Sequence, residues 1–393
     1  MATDLSSPVD IREKVTTAPS ELAGKVPTLP LAGEGRLVSL DTFRGFIMFW
    51  IIGGEALAVG LQALKPNFLL NTFVYELNHT PWQGLRFYDC IWPAFMLMVG
   101  LSVPLSFAKR SRTQTYPQML GHAVKRFAVL FLLGSLRESI SVGKPYWIEL
   151  SGVLQPIAIA YLVAFLLVRK SPWVQAAVGG AILAANALIM AFVSAPGVSA
   201  GSYQETANLV RYVDLQTLGR TYVPGNLHGE GGTVLCIWFS IPTTILGMLI
   251  GEWLLSIRSK ASKVKMIAGA GLLCLAVGYA LSPLVPVIFK LVTASFVLVS
   301  AGWACLMFLL FYWTIDVCGH RLWTLPFVVI GSNSIFIYMF PSFVPLGDWV
   351  SIFSKGIAGT SGHLEAVLHD CVVLIVQWLM LVWMYRNKIF IKA

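Results

Sequence analysis

The stretch NHTPWQGLRFYD, Asn78 to Asp89, sets a histidine and an aspartate ten residues apart, with Trp82 and Arg86 between them. Histidine is the side chain that changes charge most readily near neutral pH, and a general base works best when a second group orients it. His79 and Asp89 supply that pair if the intervening loop folds back. Such a base can take a proton from a reacting group and return it. The plain alternatives are an incidental histidine at a membrane interface and, for Asp89, a carboxylate favoured by the positive end of a helix dipole.

The elements that must hold this pair are read from composition. The 393 residues are 56% hydrophobic and 12% charged, with 13 tryptophans and a mean hydropathy of +0.73. Apolar runs of about twenty residues are the length that crosses a bilayer. They fall near 43–64, 87–108, 126–140, 148–168, 172–193, 234–257, 264–281, 291–315, 324–345 and 366–385, the third being weakest because Arg137 and Glu138 interrupt it. The expected fold is an all-α integral membrane protein, about ten transmembrane helices in one bundle spanning 37–393. Residues 1–36 are polar and rich in Pro, Ser, Thr and Ala, without the basic start and apolar stretch of a signal peptide. They are expected to form a disordered cytoplasmic tail.

A net charge of +9 would suit nucleic acid in a soluble protein, but in a polytopic one Lys and Arg mark the cytoplasmic side. With both termini inside, nineteen fall inside and eight outside, with Arg44 within the first window. The loops near 65–86 and 194–233 are then extracytoplasmic, and His79 lies in the first of them. No nucleic-acid partner is expected. The expected location is integral and multi-pass, in a bacterial inner membrane, with the bilayer as partner and a homodimer left open.

Other polar residues need an account. Asp41 and Arg44 open the first window, and Glu55 lies ~16 Å further along a helix from Arg44. An ionisable group at such depth is a functional candidate unless it sits hydrated near the outer interface. For Asp41 and Arg44 the alternative is an ion pair three residues apart. Gln155, Asn186 and Asn333 either bond between helices or line a cavity. The six cysteines lie in or beside apolar runs without Cys-x-x-Cys spacing, as small buried hydrophobes do. No phosphate-binding loop, nucleophile elbow or His-Glu-x-x-His pair is present, and no metal is expected.

The segment RLVSLDTFRGFIMFW followed by NHTPWQGLRFYDCIWPAFMLMVGLSVPLS resembles the start of the membrane-bound acetyltransferases related to heparan-α-glucosaminide N-acetyltransferase, at Asp41, Phe43, Arg44, Gly45, His79, Trp82, Gly84, Asp89, Pro93 and Gly100. Further likenesses follow in order: GVLQPIAIAYLVAFLL, the Glu230-Gly231 loop with SIPTTILGMLIGEWL, GSNSIFIY and the ending NKIFIK. The chain departs from the family pattern at Glu55, where an asparagine is usual, and at Pro156, Leu215 and Pro341.

The resemblance implies acetyl transfer from cytosolic acetyl-CoA, a co-substrate, to an amine or hydroxyl of an extracytoplasmic sugar or glycan. His79 would be the general base or acyl carrier, oriented by Asp89, with Glu55 in the reaction cavity. Trp82, Asn78, Glu230, Asn333 and Gln155 would meet substrate. Asp41, Arg44 and Arg126 would serve CoA. A transporter using Glu55, Arg44 and Asp89 is the alternative, although no second copy of the charged first helix marks two related halves.

Overall fold

A bilayer gives backbone amides no water to bond, so the apolar runs must close their hydrogen bonds within themselves as helices. The computed structural model describes residues 37–62, 64–143, 145, 150, 152–218, 234–358 and 365–391. The expected tail at 1–36 and the loop around Glu230 lie outside the described residues. Among those described, all regular structure is helical apart from three isolated bridges.

In chain order the helices are α1 Val38–Gln62, α2 Phe68–Leu77, α3 Ile91–Arg110, α4 Tyr116–Val142, α5 Leu154–Leu167, α6 Pro172–Phe192 and α7 Leu209–Leu218. They continue with α8 Val234–Leu255, α9 Lys260–Leu281, α10 Ala294–Phe311, α11 Leu325–Ser332, α12 Ser334–Phe343, α13 Leu346–Ala358 and α14 Glu365–Arg386. Short 3-10 turns at Tyr88–Cys90 and Phe289–Leu291 lead towards α3 and α10, and a π-helical turn, Tyr312–Val317, extends α10.

Each of the ten windows meets a helix, but not ten uniform spans. Among the described residues seven helices are long and apolar enough to cross a membrane, and two bent pairs raise the number to nine. One pair is α1, bent by 49° within its own length; the other is α11 and α12, bent by 68°. The fourth window yields α5, only 14 residues, or ~21 Å of helix against a hydrocarbon core of ~30 Å. The third window runs longer than its pattern suggests, because Thr115 and Gln118 form a reciprocal capping box with Pro117 in the first turn.

Two expected loops contain helices. Asn67 Oδ1 accepts from Leu70 N at 2.9 Å and starts α2 inside the 65–86 connection. In the 194–233 loop, Asn208 Oδ1 accepts from Arg211 N at 2.8 Å at the start of α7.

Helices without water between them gain by close backbone approach at small residues. Gly100 on α3 faces Thr244 O of α8, and Gly247 on α8 faces Leu97 O of α3; a Cβ at either would stand about 2 Å from that oxygen. Gly45 on α1 is pressed equally against Phe327 O of α11. These contacts fix α3, which carries the Asp89 turn at its start, against α8. Aromatic rings fill the space between α1 and α10, with Phe43 against Phe308 and Phe311 at 5.6 and 5.2 Å.

Candidate active site

The loop after α2 does fold back. His79 Nδ1 lies 2.7 Å from Asp89 Oδ1, and the other carboxylate oxygen accepts from Thr80 Oγ1 at 2.6 Å, Thr80 N at 3.3 Å and Arg86 N at 3.0 Å. Asp89 is fully buried. An ionised carboxylate only accepts, so its partner at Nδ1 must be an N–H, and the neutral imidazole then leaves its lone pair on Nε2. The His79 side chain keeps 32% of its surface open. The arrangement is that of an oriented base, and it also places Asp89 in the turn that begins α3.

Two further segments, α2 and the stretch before α10, hold the loop. Arg86 donates to His79 O at 2.9 Å and lies over the Tyr75 ring at 3.9 Å. Glu76 on α2 accepts from Phe87 N at 2.8 Å. From the segment before α10, Val287 O accepts from Gly84 N at 2.8 Å, and Gln83 pairs with Ile288. Gly84 has φ of +122°, a backbone region that suits glycine. The Phe289 ring stacks on the imidazole, centroids 4.9 Å apart and planes 6° apart, while Tyr88 meets it at 4.8 Å.

Trp82 and Lys290 form the rim. Trp82 Nε1 donates to Tyr203 O at 2.9 Å, tying the His79 loop to the segment before α7. Lys290 Nζ donates to Pro81 O at 3.1 Å, lies 5.9 Å from the Trp82 ring centre and 3.9 Å from Glu205 Oε1. Burial pushes the Tyr203 phenol up. Thr80, Tyr203, Glu205, Phe289 and Lys290 were not singled out by sequence. The available signal was weak: Lys290 adjoins an apolar run, and nothing local says which loops meet.

The other predicted residues are dispersed. Asn78 turns its amide onto Val74 O of its own helix at 2.7 Å. Asn333 stands at the break between α11 and α12, donating to Ile389 O at 3.0 Å and accepting from Ile391 N at 2.9 Å, so it fastens the C-terminal segment. Gln155 is fully buried against Gly134 and Gly152, with neither end of its amide bonded among the described residues. Glu55 lies on α1, but its side chain is outside the described residues, as is Glu230.

Asp41 and Arg44 lie 3.6 Å apart, both partly exposed. Arg44 Nε also lies 3.4 Å from Met98 Sδ on α3. Met98 follows Asp89 by nine residues, so this contact sits ~14 Å along the helix axis from the Asp89 turn. Arg126 on α4 places its guanidinium 4.6 Å from the Tyr161 ring centre. Cys90, Cys236 and Cys305 are buried as expected, whereas Cys318 is exposed.

Comparison with known proteins bears on this geometry. Residues 36–215 match the family model described as heparan-alpha-glucosaminide N-acetyltransferase, catalytic, a region that includes His79 and Asp89. The chain is 25% identical to the human heparan-alpha-glucosaminide N-acetyltransferase over 472 aligned positions, covering 99% of the chain and 66% of that protein. It is 24% identical to the mouse protein over 440 positions, covering 93% and 62% respectively. The chain thus spans somewhat less than two thirds of the length of either relative.

Proposed function

The chain is related to the family of heparan-alpha-glucosaminide N-acetyltransferases, and from that premise we propose that it is a transmembrane acetyltransferase moving acetyl from acetyl-CoA to an amine or hydroxyl of a sugar. The observation that carries this reading is the contact between His79 Nδ1 and the buried, fully bonded Asp89 carboxylate, with the His79 side chain itself keeping 32% of its surface open. Acyl transfer needs such a base, and nothing else in the site has to be charged for it to work.

The chemistry at His79 is short. Nε2 takes the proton of the acceptor amine or hydroxyl while the acceptor attacks the thioester carbonyl carbon. The C–S bond then breaks, and the imidazolium returns the proton to the leaving thiolate. In a two-step variant Nε2 itself attacks the thioester carbonyl carbon and the C–S bond breaks to release CoA thiolate; the acceptor then attacks the acetyl-histidine, the C–N bond breaks, and the acceptor's proton passes to the thiolate. Asp89 holds the ring and steadies its positive charge in both. Trp82 offers an indole face for the acceptor ring, with Lys290 and Glu205 beside it for hydroxyls.

Arg44 fits a donor that enters from the opposite end. Its guanidinium is partly exposed beside the middle of α3, where a charge is tolerated only next to a partner or a wet cavity. The ~14 Å along α3 between this contact and Asp89 is a span a long pantetheine arm can bridge. Asp41 keeps Arg44 in place, and Arg126 adds a second cation on α4. In this reading both termini are cytoplasmic, and the His79 loop faces the extracytoplasmic side.

The test is release of CoA thiol by the purified protein in liposomes with acetyl-CoA and a panel of amino and neutral sugars. Acceptor-dependent release is expected. Acetyl-CoA binding absent from the folded protein would overturn the reading.

A further inference from the structure

We propose that Asn186, buried within α6, is a positioning residue for His79, acting through a left-handed turn at Val292 and the ring of Phe289. The proposal rests on the reading of the His79 imidazole as the reacting group. Asn186 is fully buried, and its Nδ2 donates to Val292 O at 2.7 Å. Its own Oδ1 has no partner among the described residues. Because the partner is a carbonyl, the amide must present its NH2 there, leaving its oxygen unserved. A leucine of similar size would pack between the helices without that penalty, so simple adhesion of α6 is a poor account of an asparagine here.

The bonded residue is unusual in its backbone. Val292 has φ and ψ of 48°, the left-handed region, which a β-branched residue rarely enters. Such conformations persist where neighbours hold them, and they concentrate at functional sites. Val292 closes the 3-10 turn Phe289–Leu291, its N–H donating to Phe289 O at 3.0 Å. The turn is braced from the other side by Thr293, whose Oγ1 accepts from Ile288 N at 3.1 Å and donates to Pro286 O at 2.8 Å.

The product of this bracing is the plane of Phe289. Its ring is backed by Phe296 at 5.5 Å and lies parallel to the His79 imidazole. Asp89 fixes which nitrogen bears the proton, and Tyr88 meets the ring only at a tilt, so neither lies flat against it to stop it rocking. Phe289 removes the rocking, and Asn186 sets where Phe289 stands. Nε2 is thereby aimed, by a residue with no contact to the reacting atoms.

The experiment combines steady-state kinetics of the full chain in detergent with selective histidine NMR, a small problem with six histidines. Asn186→Leu is compared with wild type, with Val292→Gly and with the double variant. Asn186→Leu is expected to lower kcat about tenfold with KM for acetyl-CoA unchanged within about twofold. It should also abolish the upfield ring-current shift of the His79 Cε1 proton. Glycine adopts the left-handed turn unaided, so in the Val292→Gly background the same substitution should cost less than about threefold.

Equal losses in both backgrounds, or a His79 signal unmoved by Asn186→Leu, would overturn the proposal. Should that variant fail to elute as a single monodisperse peak, Asn186→Ala removes the same donor and reads in the same way. Loss of the ring-current shift in a protein whose wild type transfers no acetyl group would uphold the positioning and count against the transferase reading.

Discussion

His79 donates through Nδ1 to an Asp89 oxygen 2.7 Å away, while the other Asp89 oxygen is occupied by Thr80 and Arg86. The carboxylate therefore dictates the imidazole tautomer. Asp89→Asn reverses this, because an amide NH2 facing Nδ1 forces the proton onto Nε2. We expect kcat to fall by about a thousandfold with KM for acetyl-CoA nearly constant. A matching rise in KM at unchanged kcat would show instead that Asp89 serves binding.

Thr80 tests the support of the same carboxylate. Its hydroxyl donates to a buried charge at 2.6 Å, a bond worth about 1.5–3 kcal/mol. Thr80→Val keeps the shape and removes the donor. Thermal inactivation in detergent should shift down correspondingly, with activity at low temperature reduced less than in Asp89→Asn.

The packing that carries Asp89 can be probed at glycine. A Cβ at Gly247 would lie 2.1 Å from Leu97 O, whereas at Gly269 on α9 it would meet nothing within 4 Å. Gly247→Ala must part α3 from α8, a cost of about 1–3 kcal/mol or more, and Gly269→Ala should be neutral. Differential scanning fluorimetry of the two variants decides, and equal melting temperatures would contradict the helix pairing described here.

Orientation has its own probe in Cys318, exposed in the turn after α10. With cytoplasmic termini, a membrane-impermeant maleimide should label it in inverted vesicles and leave it untouched in intact cells. Labelling in intact cells would reverse the sidedness and place the His79 loop in the cytoplasm.

How much of this was legible beforehand depends on the range of the interaction. The His79 and Asp89 pairing could be anticipated because both lie in one twelve-residue stretch, and the long apolar runs located the helices. Asn67 and the Thr115 and Gln118 pair were readable capping signals, and they explain why α2 appears and why α4 begins early. The dispersal of Asn78 and Asn333 was not readable, since an amide in an apolar helix looks the same whether it lines a cavity or bonds a backbone carbonyl. Lys290 donates to Pro81 O across 209 residues of sequence. No local pattern announces such a contact, nor the stacking of Phe289 on His79. The bends in α1 and at Asn333 and the shortness of α5 were likewise hidden, because hydropathy reports length of apolar sequence and not the direction of a helix axis.

On the proposed reading, acetyl transfer takes place at the His79 imidazole held by Asp89. The most direct measurement is acceptor-dependent CoA release by purified wild-type protein and by His79→Ala, with the exposed His320→Ala as control. Loss of general-base assistance should lower the rate by about 10²–10⁴-fold in His79→Ala and leave His320→Ala at the wild-type rate. A folded His79→Ala protein releasing CoA as fast as wild type would contradict the account.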